Sequence, residues 1–337
     1  MLSLREVNRI DRAGLWRVYQ QWPDAARRAM DQRLAIPKGP SQQLIVLAGM
    51  GGSGTACDIV SDWLTQMSDV PTIVVKDYFL PRFVGKGITV IAVSLSGDTK
   101  ETLSMFEEAV GRGCSVAAVS SGGILQERCM KMGIPHNRVE RMMVPRASLP
   151  GMIFTTLRIL DELGVAKVDD ELREATEAMA ERSRQVRPST PLSVNPAKKM
   201  ASMLKGRRTT IYAPARYASI GHHFAASMNE NAKVPVSVGF YPEIFHNEIE
   251  TWKTAAGRAV VLLKAKGEDR EVEKRLARAR SLFARARIPF TEVAQRGGSL
   301  SAILDWCMLL DMVSIYTAVL LKVSPVETPL LDKTRSL

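Results

Sequence analysis

Two short loops of the sequence are rich in the residue types that bind phosphate. Residues 49–54 read GMGGSG and residues 94–99 read SLSGDT, and each loop follows an apolar run and precedes a helical pattern. Glycines let the backbone approach an anion closely, amides at the start of a helix point toward it, and hydroxyls donate hydrogen bonds to it. We therefore expect these loops to bind the phosphate of a small monoester. The contacts are assigned to Gly51, Gly52, Ser53, Ser94, Ser96 and Thr99.

Two other interpretations of these loops stay open. The first loop also matches the GxGxxG pattern of dinucleotide-binding proteins, and Asp77 further along the chain is a candidate ribose ligand. A nicotinamide-dependent enzyme is disfavoured because a dinucleotide site does not need a second cluster of hydroxyls. Neither loop is followed by the lysine of a P-loop, which disfavours nucleotide hydrolysis. A purely structural role is the other alternative, because Asp98 and Glu101 are placed to cap the helix after the second loop.

The segments around the loops predict a doubly wound α/β domain. Apolar runs at residues 44–48, 72–76, 88–94 and 115–120 alternate with helical patterns at 55–66, 99–112 and 125–131. The runs are continuously apolar rather than alternating, as in strands of a parallel sheet that is covered on both faces. In such sheets ligands bind beyond the carboxyl ends of the strands, and both loops follow predicted strands.

The same alternation restarts in the second half of the chain. Strands are predicted at residues 209–213, 234–239, 259–265 and 290–293, followed by a helix at 300–321. The fold class is therefore α/β, with two tandem doubly wound parallel-sheet domains. We expect an N-terminal helix (residues 1–40, helical from 4 to 34), a first domain (41–150), a helical bridge and linker (151–195), a second domain (196–323) and a C-terminal tail (324–337).

Composition limits the class of protein and of partner. The chain has 337 residues, of which 46% are apolar and 24% are charged, as in globular proteins. Its net charge of +11 favours an anionic partner. Part of the excess lies in residues 268–290, where the pattern indicates a solvated helix face. A nucleic-acid surface is disfavoured there because interleaved aromatic residues are missing. No apolar run reaches the ~18 residues of a membrane helix, so we expect a cytoplasmic protein that does not bind a membrane. For the reason just given, we also expect no nucleic-acid partner.

We expect no metal and no other cofactor. His222 and His223 are adjacent, so they point to different faces of a helix and cannot chelate a metal as an i, i+4 pair would. His136 stands apart from both. The cysteines lie too far apart for a thiolate metal site or a disulfide framework, and their apolar neighbours predict buried thiols. They are Cys57, Cys114, Cys129 and Cys307.

The two domains and the two loops together resemble the sugar-isomerase (SIS) fold. The sequence is most similar to the bifunctional phosphoglucose/phosphomannose isomerases, and the resemblance covers nearly the whole chain. Four further segments carry it: VKDYFL (75–80), PRASLP (145–150), NENAK (229–233) and PEIFHN (242–247). The resemblance implies a metal-independent aldose–ketose isomerase. Such an enzyme interconverts glucose 6-phosphate and mannose 6-phosphate with fructose 6-phosphate through a cis-enediol(ate), in glycolysis and gluconeogenesis.

The resemblance also implies a role for particular residues. Glu230 is the base that moves a proton between C2 and C1, and Arg146 stabilises the enediolate with its permanent charge. His246 opens the sugar ring, which suits an imidazole, and it is supplied by the neighbouring subunit. The partner is therefore a second copy of the chain, in a homodimer with a shared active site. Thr328 corresponds to the threonine linked to acceptance of mannose 6-phosphate.

Two positions depart from the family's pattern. The family has a lysine about six residues after the proline of the tail motif. Counting from Pro329 gives Arg335, with Lys333 two positions earlier, and either is a candidate for that catalytic cation. Asp98 stands where the family often has asparagine, and we expect it to cap the helix and point away from the phosphate.

The alternative of a different class is a non-catalytic SIS regulator that binds sugar phosphates. Such a regulator has no need for Glu230, Arg146 and His246 together. The presence of all three favours the enzyme.

Overall fold

The computed structural model describes residues 2–37, 43–254 and 257–335, except for the side chains of residues 254, 332, 334 and 335. The chain divides into two compact units. The first unit is Gln21–Glu177, and the second unit combines Met1–Gln20 with Ala178–Leu337. The finer division into five segments that we expect from the sequence stays a prediction.

The structure corrects the prediction of one helix over residues 4–34. The described part of this segment folds into three helices, α1 (Leu4–Ile10), α2 (Leu15–Gln20) and α3 (Trp22–Met30). The buried carboxylate of Asp11 accepts hydrogen bonds from the amides of Gly14, Leu15 and Trp16. Gly14 has a positive φ of 78°, which glycine adopts readily. A new helix therefore starts after Asp11, although the apolar residues continue at helical spacing, because this side chain accepts hydrogen bonds from the free amides at the helix start.

In the described residues of the first unit, five parallel strands form a sheet in the order β2-β1-β3-β4-β5. They are β1 (Ile45–Gly49), β2 (Thr72–Val75), β3 (Thr89–Val93), β4 (Ser115–Ser120) and β5 (His136–Arg138). The helices after α3 are α4 (Gly51–Met67), α5 (Lys100–Gly111), α6 (Gly123–Met132), α7 (Leu149–Glu162) and α8 (Asp169–Val186), which runs on into the second unit. The central strands β1 and β3 are buried along their whole length, as their continuously apolar runs predict. Strand β5 is not predicted from the sequence because it is short and carries polar side chains.

This strand order indicates a candidate ligand site in the first unit. The chain passes from β1 to β2 on one side, then crosses back to form β3 on the other side of β1, so the strand order reverses between β1 and β3. In open parallel sheets the crevice at such a switch point is the usual ligand site. Both glycine- and hydroxyl-rich loops start here, one after β1 and one after β3.

In the second unit, the described strands form a parallel sheet in the order β7-β6-β8-β9. They are β6 (Arg208–Pro214), β7 (Val236–Tyr241), β8 (Arg258–Lys264) and β9 (Phe290–Ala294). Besides α1, α2 and the end of α8, the described helices of this unit are α9 (Pro196–Leu204), α10 (Ala218–Ser227), α11 (Arg270–Arg285), α12 (Ser299–Leu321) and α13 (Pro329–Arg335). The prediction of an α/β protein with two parallel-sheet units is thus confirmed.

Two helices of the second unit explain unusual stretches of the sequence. α11 buries a narrow apolar stripe of Leu276, Ala279 and Phe283 and exposes most of its charged side chains. It is the solvated face that the charge pattern of residues 268–290 indicates. Among the described helices, α12 is long and apolar enough to cross a membrane, but 94% of its apolar window is buried inside the protein. α12 is the core helix of its unit.

The cysteines are free thiols. Cys57, Cys129 and Cys307 are buried and Cys114 is partly buried. Burial raises the pKa of all four thiols, and that of Cys129 to about 11, because a low-dielectric environment disfavours the thiolate. The expectation of buried thiols is therefore confirmed for three of the four.

Candidate active site

The first loop passes directly from β1 into α4. β1 ends at Gly49, α4 begins at Gly51, and the side chain of the N-cap residue Met50 makes no capping hydrogen bond. The amides of the first turn of an α-helix have no partner within the helix, and here they belong to Gly51, Gly52 and Ser53. The positive end of the helix dipole adds to their attraction for an anion. This helix start is therefore suited to the phosphate that the sequence predicts.

Ser53 connects the two loops. Its Oγ accepts a hydrogen bond of 3.0 Å from the amide of Leu95 in the second loop, and it donates a weak bond of 3.3 Å to the sulfur of Met152. Ser53 is 6% exposed and Leu95 is 4% exposed. Because sulfur is a weak acceptor, the hydroxyl hydrogen can turn to a phosphate oxygen at little cost while the bond from Leu95 stays in place.

The hydroxyls of the second loop are fixed by bonds within the loop. Ser94 Oγ donates to Thr99 Oγ1 over 3.1 Å and accepts from the amide of Gly97 over 3.2 Å. Ser96 Oγ accepts from the amide of Asp98 over 3.2 Å. Ser94 is buried, whereas Ser96 and Thr99 are partly exposed. The hydroxyls are thus pre-positioned by the backbone of their own loop.

The loop that contains Gly122 packs against the second loop, so a side chain at position 97 would not fit. Gly97 has a φ of +78°, and a Cβ added there lies 1.8 Å from the carbonyl oxygen of Gly122. The amide of Leu125 donates to the carbonyl of Gly97, and the amide of Ile124 donates to the carboxylate of Asp98 over 3.0 Å. The suggestion that Asp98 caps α5 is therefore wrong, because Thr99 is the N-cap of α5 and Asp98 binds the first turn of α6.

Arg146 lies beside the first loop. It belongs to a 3-10 turn, Pro145–Ser148, which leads directly into α7. Trp22 Nε1 donates to the carbonyl of Ala147 over 2.7 Å, and this bond holds the turn. The Cα of Arg146 is 3.6 Å from the position of a Cβ on Gly52. The first unit therefore brings together Arg146 and the predicted phosphate ligands.

Glu230 is the middle residue of a π-helical turn, Met228–Ala232, between α10 and β7. The side chain is partly buried. Lys233 follows the turn, and its Nζ donates to the carbonyl oxygens of Glu230 over 2.8 Å and of Ser324 over 2.6 Å. The second unit thus links the turn that carries Glu230 to the start of the C-terminal tail.

His246 lies on the other side of β7. It follows the 3-10 turn Glu243–Phe245, is exposed, and has its Nε2 3.3 Å from an Nη of Arg275. Glu230 precedes β7 and His246 follows it, so the six residues of this strand separate them. Such a strand is roughly 17 Å long. Along the chain, Glu230 therefore precedes the amino end of β7 and His246 follows its carboxyl end.

The tail residues lie at the start of α13 and within it. Thr328 is partly exposed and precedes α13, and Lys333 is exposed on α13. The side chain of Arg335 lies outside the described residues. The choice between Lys333 and Arg335 stays open.

The three histidines for which no metal site is expected differ in burial and in hydrogen-bond partners. His223 is buried with its Nε2 3.0 Å from Asp311 Oδ2, whereas the adjacent His222 is exposed. His136 Nε2 is 2.7 Å from Ser120 Oγ, and burial, reinforced by Arg138, lowers the pKa of His136. Within the described part of the chain, no three His, Cys, Asp or Glu side chains form a metal-binding group.

A surface cavity of about 650 Å³ opens at the carboxyl ends of β4 and β5. None of the predicted site residues lines it in the described structure. Its lining is Gln32, Ser121, Arg138, Val139, Glu140 and Arg141.

Removal of the Ser53 hydroxyl has two separable effects. We expect Ser53→Ala to lower the free energy of unfolding by about 1–3 kcal/mol, because the buried amide of Leu95 loses its acceptor. The same change raises KM more than it lowers kcat, since a phosphate contact binds ground and transition states alike. Ser96→Ala is the matched variant, because its hydroxyl accepts from an exposed amide that water can satisfy. Denaturant unfolding tests the expected loss of stability, and steady-state kinetics test the expected rise in KM. Equal stability of the Ser53→Ala and Ser96→Ala variants would contradict the stabilising bond between Ser53 and the amide of Leu95.

Residues 193–337 match the family model "Bacterial phospho-glucose isomerase C-terminal SIS domain". The chain is 32% identical to the bifunctional phosphoglucose/phosphomannose isomerase of Aquifex aeolicus over 86% of this chain and 89% of that protein. It is also 32% identical to the protein of the same name from Pyrobaculum calidifontis, over 87% of each chain.

Solved structures share the fold. The C-terminal domain of glucosamine-fructose-6-phosphate aminotransferase from Francisella tularensis superposes with a TM-score of 0.70 over 92% of this chain and 97% of that domain, at 14% identity. At this identity the likeness shows the fold alone. Both units therefore have the architecture expected from the resemblance.

Proposed function

Because the chain belongs to the family of bifunctional phosphoglucose/phosphomannose isomerases, we propose that it interconverts glucose 6-phosphate and mannose 6-phosphate with fructose 6-phosphate. One observation carries the substrate class. Two loops that supply first-turn amides and four hydroxyls meet at the β1/β3 switch point, and the bond from the Leu95 amide to Ser53 joins them. Such a site holds the phosphoryl end of a sugar and leaves its C1 and C2 atoms to other residues.

Glu230 is assigned the proton transfer of this reaction. Its carboxylate removes the proton from C2 of the open-chain aldose, and the electron pair moves into the C1–C2 bond while the C1 oxygen takes up a proton. Return of the proton from Glu230 to C1 and loss of the proton from the C2 oxygen give the ketose. A positioned base of this kind contributes ~10²–10⁴-fold in rate.

Arg146 is assigned the stabilisation of the enediolate. Its guanidinium is a cation that offers paired donors to two neighbouring oxygens. The short distance between the backbones of Arg146 and Gly52 supports its place near a sugar held by the first loop. This cation supplies the charge that a metal ion would otherwise provide, so the proposed reaction is metal-independent and needs no cofactor.

His246 is assigned the opening of the sugar ring in the active site of a second copy of the chain. Its exposure and its place after the carboxyl end of β7, whereas Glu230 precedes the amino end, support this assignment. The proposal is therefore a homodimer with shared active sites. Thr328 is assigned the acceptance of mannose 6-phosphate as a substrate. Lys333 or Arg335 is assigned the role of the catalytic cation in the C-terminal tail. A cytoplasmic location and a role in glycolysis and gluconeogenesis belong to the same proposal, because hexose phosphates are intermediates of those pathways.

A coupled assay of the purified protein tests the activity. We expect turnover of glucose 6-phosphate and of mannose 6-phosphate in the presence of a metal chelator. Binding of these sugars without turnover would indicate a sugar-phosphate-binding regulator instead. Turnover that a chelator abolishes and a divalent metal restores would contradict the metal-free mechanism.

Subunit mixing tests the shared site. Homodimers of Glu230→Gln and of His246→Ala should each be nearly inactive. In a mixed dimer, one site receives Glu230 from one chain and His246 from the other, so we expect one working site per dimer after dissociation and reassociation. Absence of regained activity in a verified mixed dimer would place His246 and Glu230 in the site of the same chain.

A further inference from the structure

The turn that carries Glu230 has a geometry that its surroundings must maintain. Residues Met228–Ala232 form a π-helix, a rare conformation that recurs at functional sites. The turn ends at Lys233, a non-glycine residue with a φ of +59°. Left-handed backbone at such a residue persists only where tertiary contacts hold it.

The start of the turn is tied to α12 through Asp311. Ser227, the residue before the turn, donates a 2.5 Å hydrogen bond from its Oγ to Asp311 Oδ1. The other carboxylate oxygen, Oδ2, lies 3.0 Å from His223 Nε2. Ser227, Asp311 and His223 are 3%, 1% and 5% exposed, so water does not compete for these bonds.

The end of the turn is tied to the same helix through Ser314. Asn231, the residue after Glu230, is fully buried, and its Nδ2 donates to Ser314 Oγ over 2.8 Å. Ser314 Oγ in turn donates to the carbonyl oxygen of Asp311 over 2.6 Å. Asp311 and Ser314 are three residues apart on α12, so one turn of this buried helix holds both ends of the π-helical turn.

We propose that Asp311 and Ser314 are positioning residues for Glu230. They fix the residues on either side of it, so the place of the carboxylate is determined by the core helix α12 and not by the partly exposed turn alone. This inference rests on the proposed function, in which Glu230 is the base. A base displaced by about 1 Å loses on the order of 10²-fold in rate, whereas substrate held through its phosphate still binds.

Ser314→Ala is the direct test, with Thr317→Val as its matched control. Both changes remove one buried hydroxyl from α12, but Thr317 Oγ1 donates to the carbonyl of Val313 within the same helix. We expect Ser314→Ala to lower kcat about tenfold with KM changed less than twofold. Thr317→Val should leave both constants unchanged at a comparable loss of melting temperature. Equal kinetics for the two variants would overturn the proposal.

A double variant separates the positioning role from a general loss of structure. In the Glu230→Gln background there is no base left to position, so Ser314→Ala should cause no further fall in kcat. A full further tenfold loss there would overturn the proposal. If Ser314→Ala does not fold, Ser227→Ala releases the other end of the turn and carries the same expectations.

The same set of variants distinguishes a failure of the inference from a failure of the proposed function. Normal turnover by Glu230→Gln would refute Glu230 as the base and with it the proposed mechanism. An inactive Glu230→Gln together with a normal Ser314→Ala would refute the positioning role alone.

Discussion

Glu230→Gln is expected to bind hexose phosphates nearly as well as the unchanged protein and to lower kcat by at least ~10²-fold. Glutamine keeps the size and polarity of the side chain, but its amide cannot accept the proton from C2. Because the proposed phosphoryl contacts are assigned to other residues, we expect the ground-state affinity to change little. The kcat follows from the coupled assay, and the dissociation constant of fructose 6-phosphate follows from calorimetry.

Glu250→Gln is the control for this experiment. Glu250 is exposed and pairs with Lys253 on the surface of the same unit, so its substitution should leave kcat and affinity unchanged. A Glu230→Gln variant that retains more than about a tenth of normal turnover would refute the assignment of the base, since a positioned base contributes at least ~10²-fold.

Arg146→Gln is expected to lower kcat by about 10²–10³-fold, which is the usual cost of removing a donor that stabilises a developing oxyanion. Arg146→Lys should recover part of the loss, because lysine restores the charge without the paired donors. A phosphorylated hydroxamate that mimics the enediolate should lose affinity in parallel with kcat, whereas fructose 6-phosphate should not.

Arg173→Gln is the matched control, because Arg173 is an exposed arginine of the first unit that pairs with Asp170 on the surface. Equal losses of affinity for the hydroxamate and for fructose 6-phosphate in Arg146→Gln would show that Arg146 binds the ground state. That result would remove it from the stabilisation of the intermediate.

The sequence predicts the fold class correctly because its signals are local, and the proposal that two loops bind phosphate rests on signals that are equally local. A fully buried parallel strand needs a continuous apolar run, and a loop that turns directly into a helix beside an anion needs glycine and hydroxyl residues. Gly97 illustrates the second point. Its positive φ and the carbonyl of Gly122 beside it leave no room for a side chain.

The features that the sequence analysis missed depend on contacts between distant residues. Asp98 and Glu101 fit a local capping rule, yet Asp98 binds the amide of Ile124, which lies 26 residues further along the chain. The break at Asp11 likewise depends on a carboxylate whose capping role periodicity does not indicate.

The geometry around Glu230 is the clearest case. A helical pattern does not distinguish a π-helical turn from an α-helical one, because the extra residue is accommodated by tertiary contacts. Those contacts come from Asp311 and Ser314, more than eighty positions away in the chain. The resemblance identifies Glu230 as a candidate base, but only the structure shows which residues bond to the turn that carries it.

The most direct test of the account is a crystal structure of the protein soaked with fructose 6-phosphate. We predict that the phosphoryl oxygens lie within hydrogen-bond distance of Ser53, Ser94, Ser96 and Thr99, at the first turn of α4. A sugar phosphate bound at another place in an enzymatically active crystal would contradict the central claim that these two loops hold the substrate.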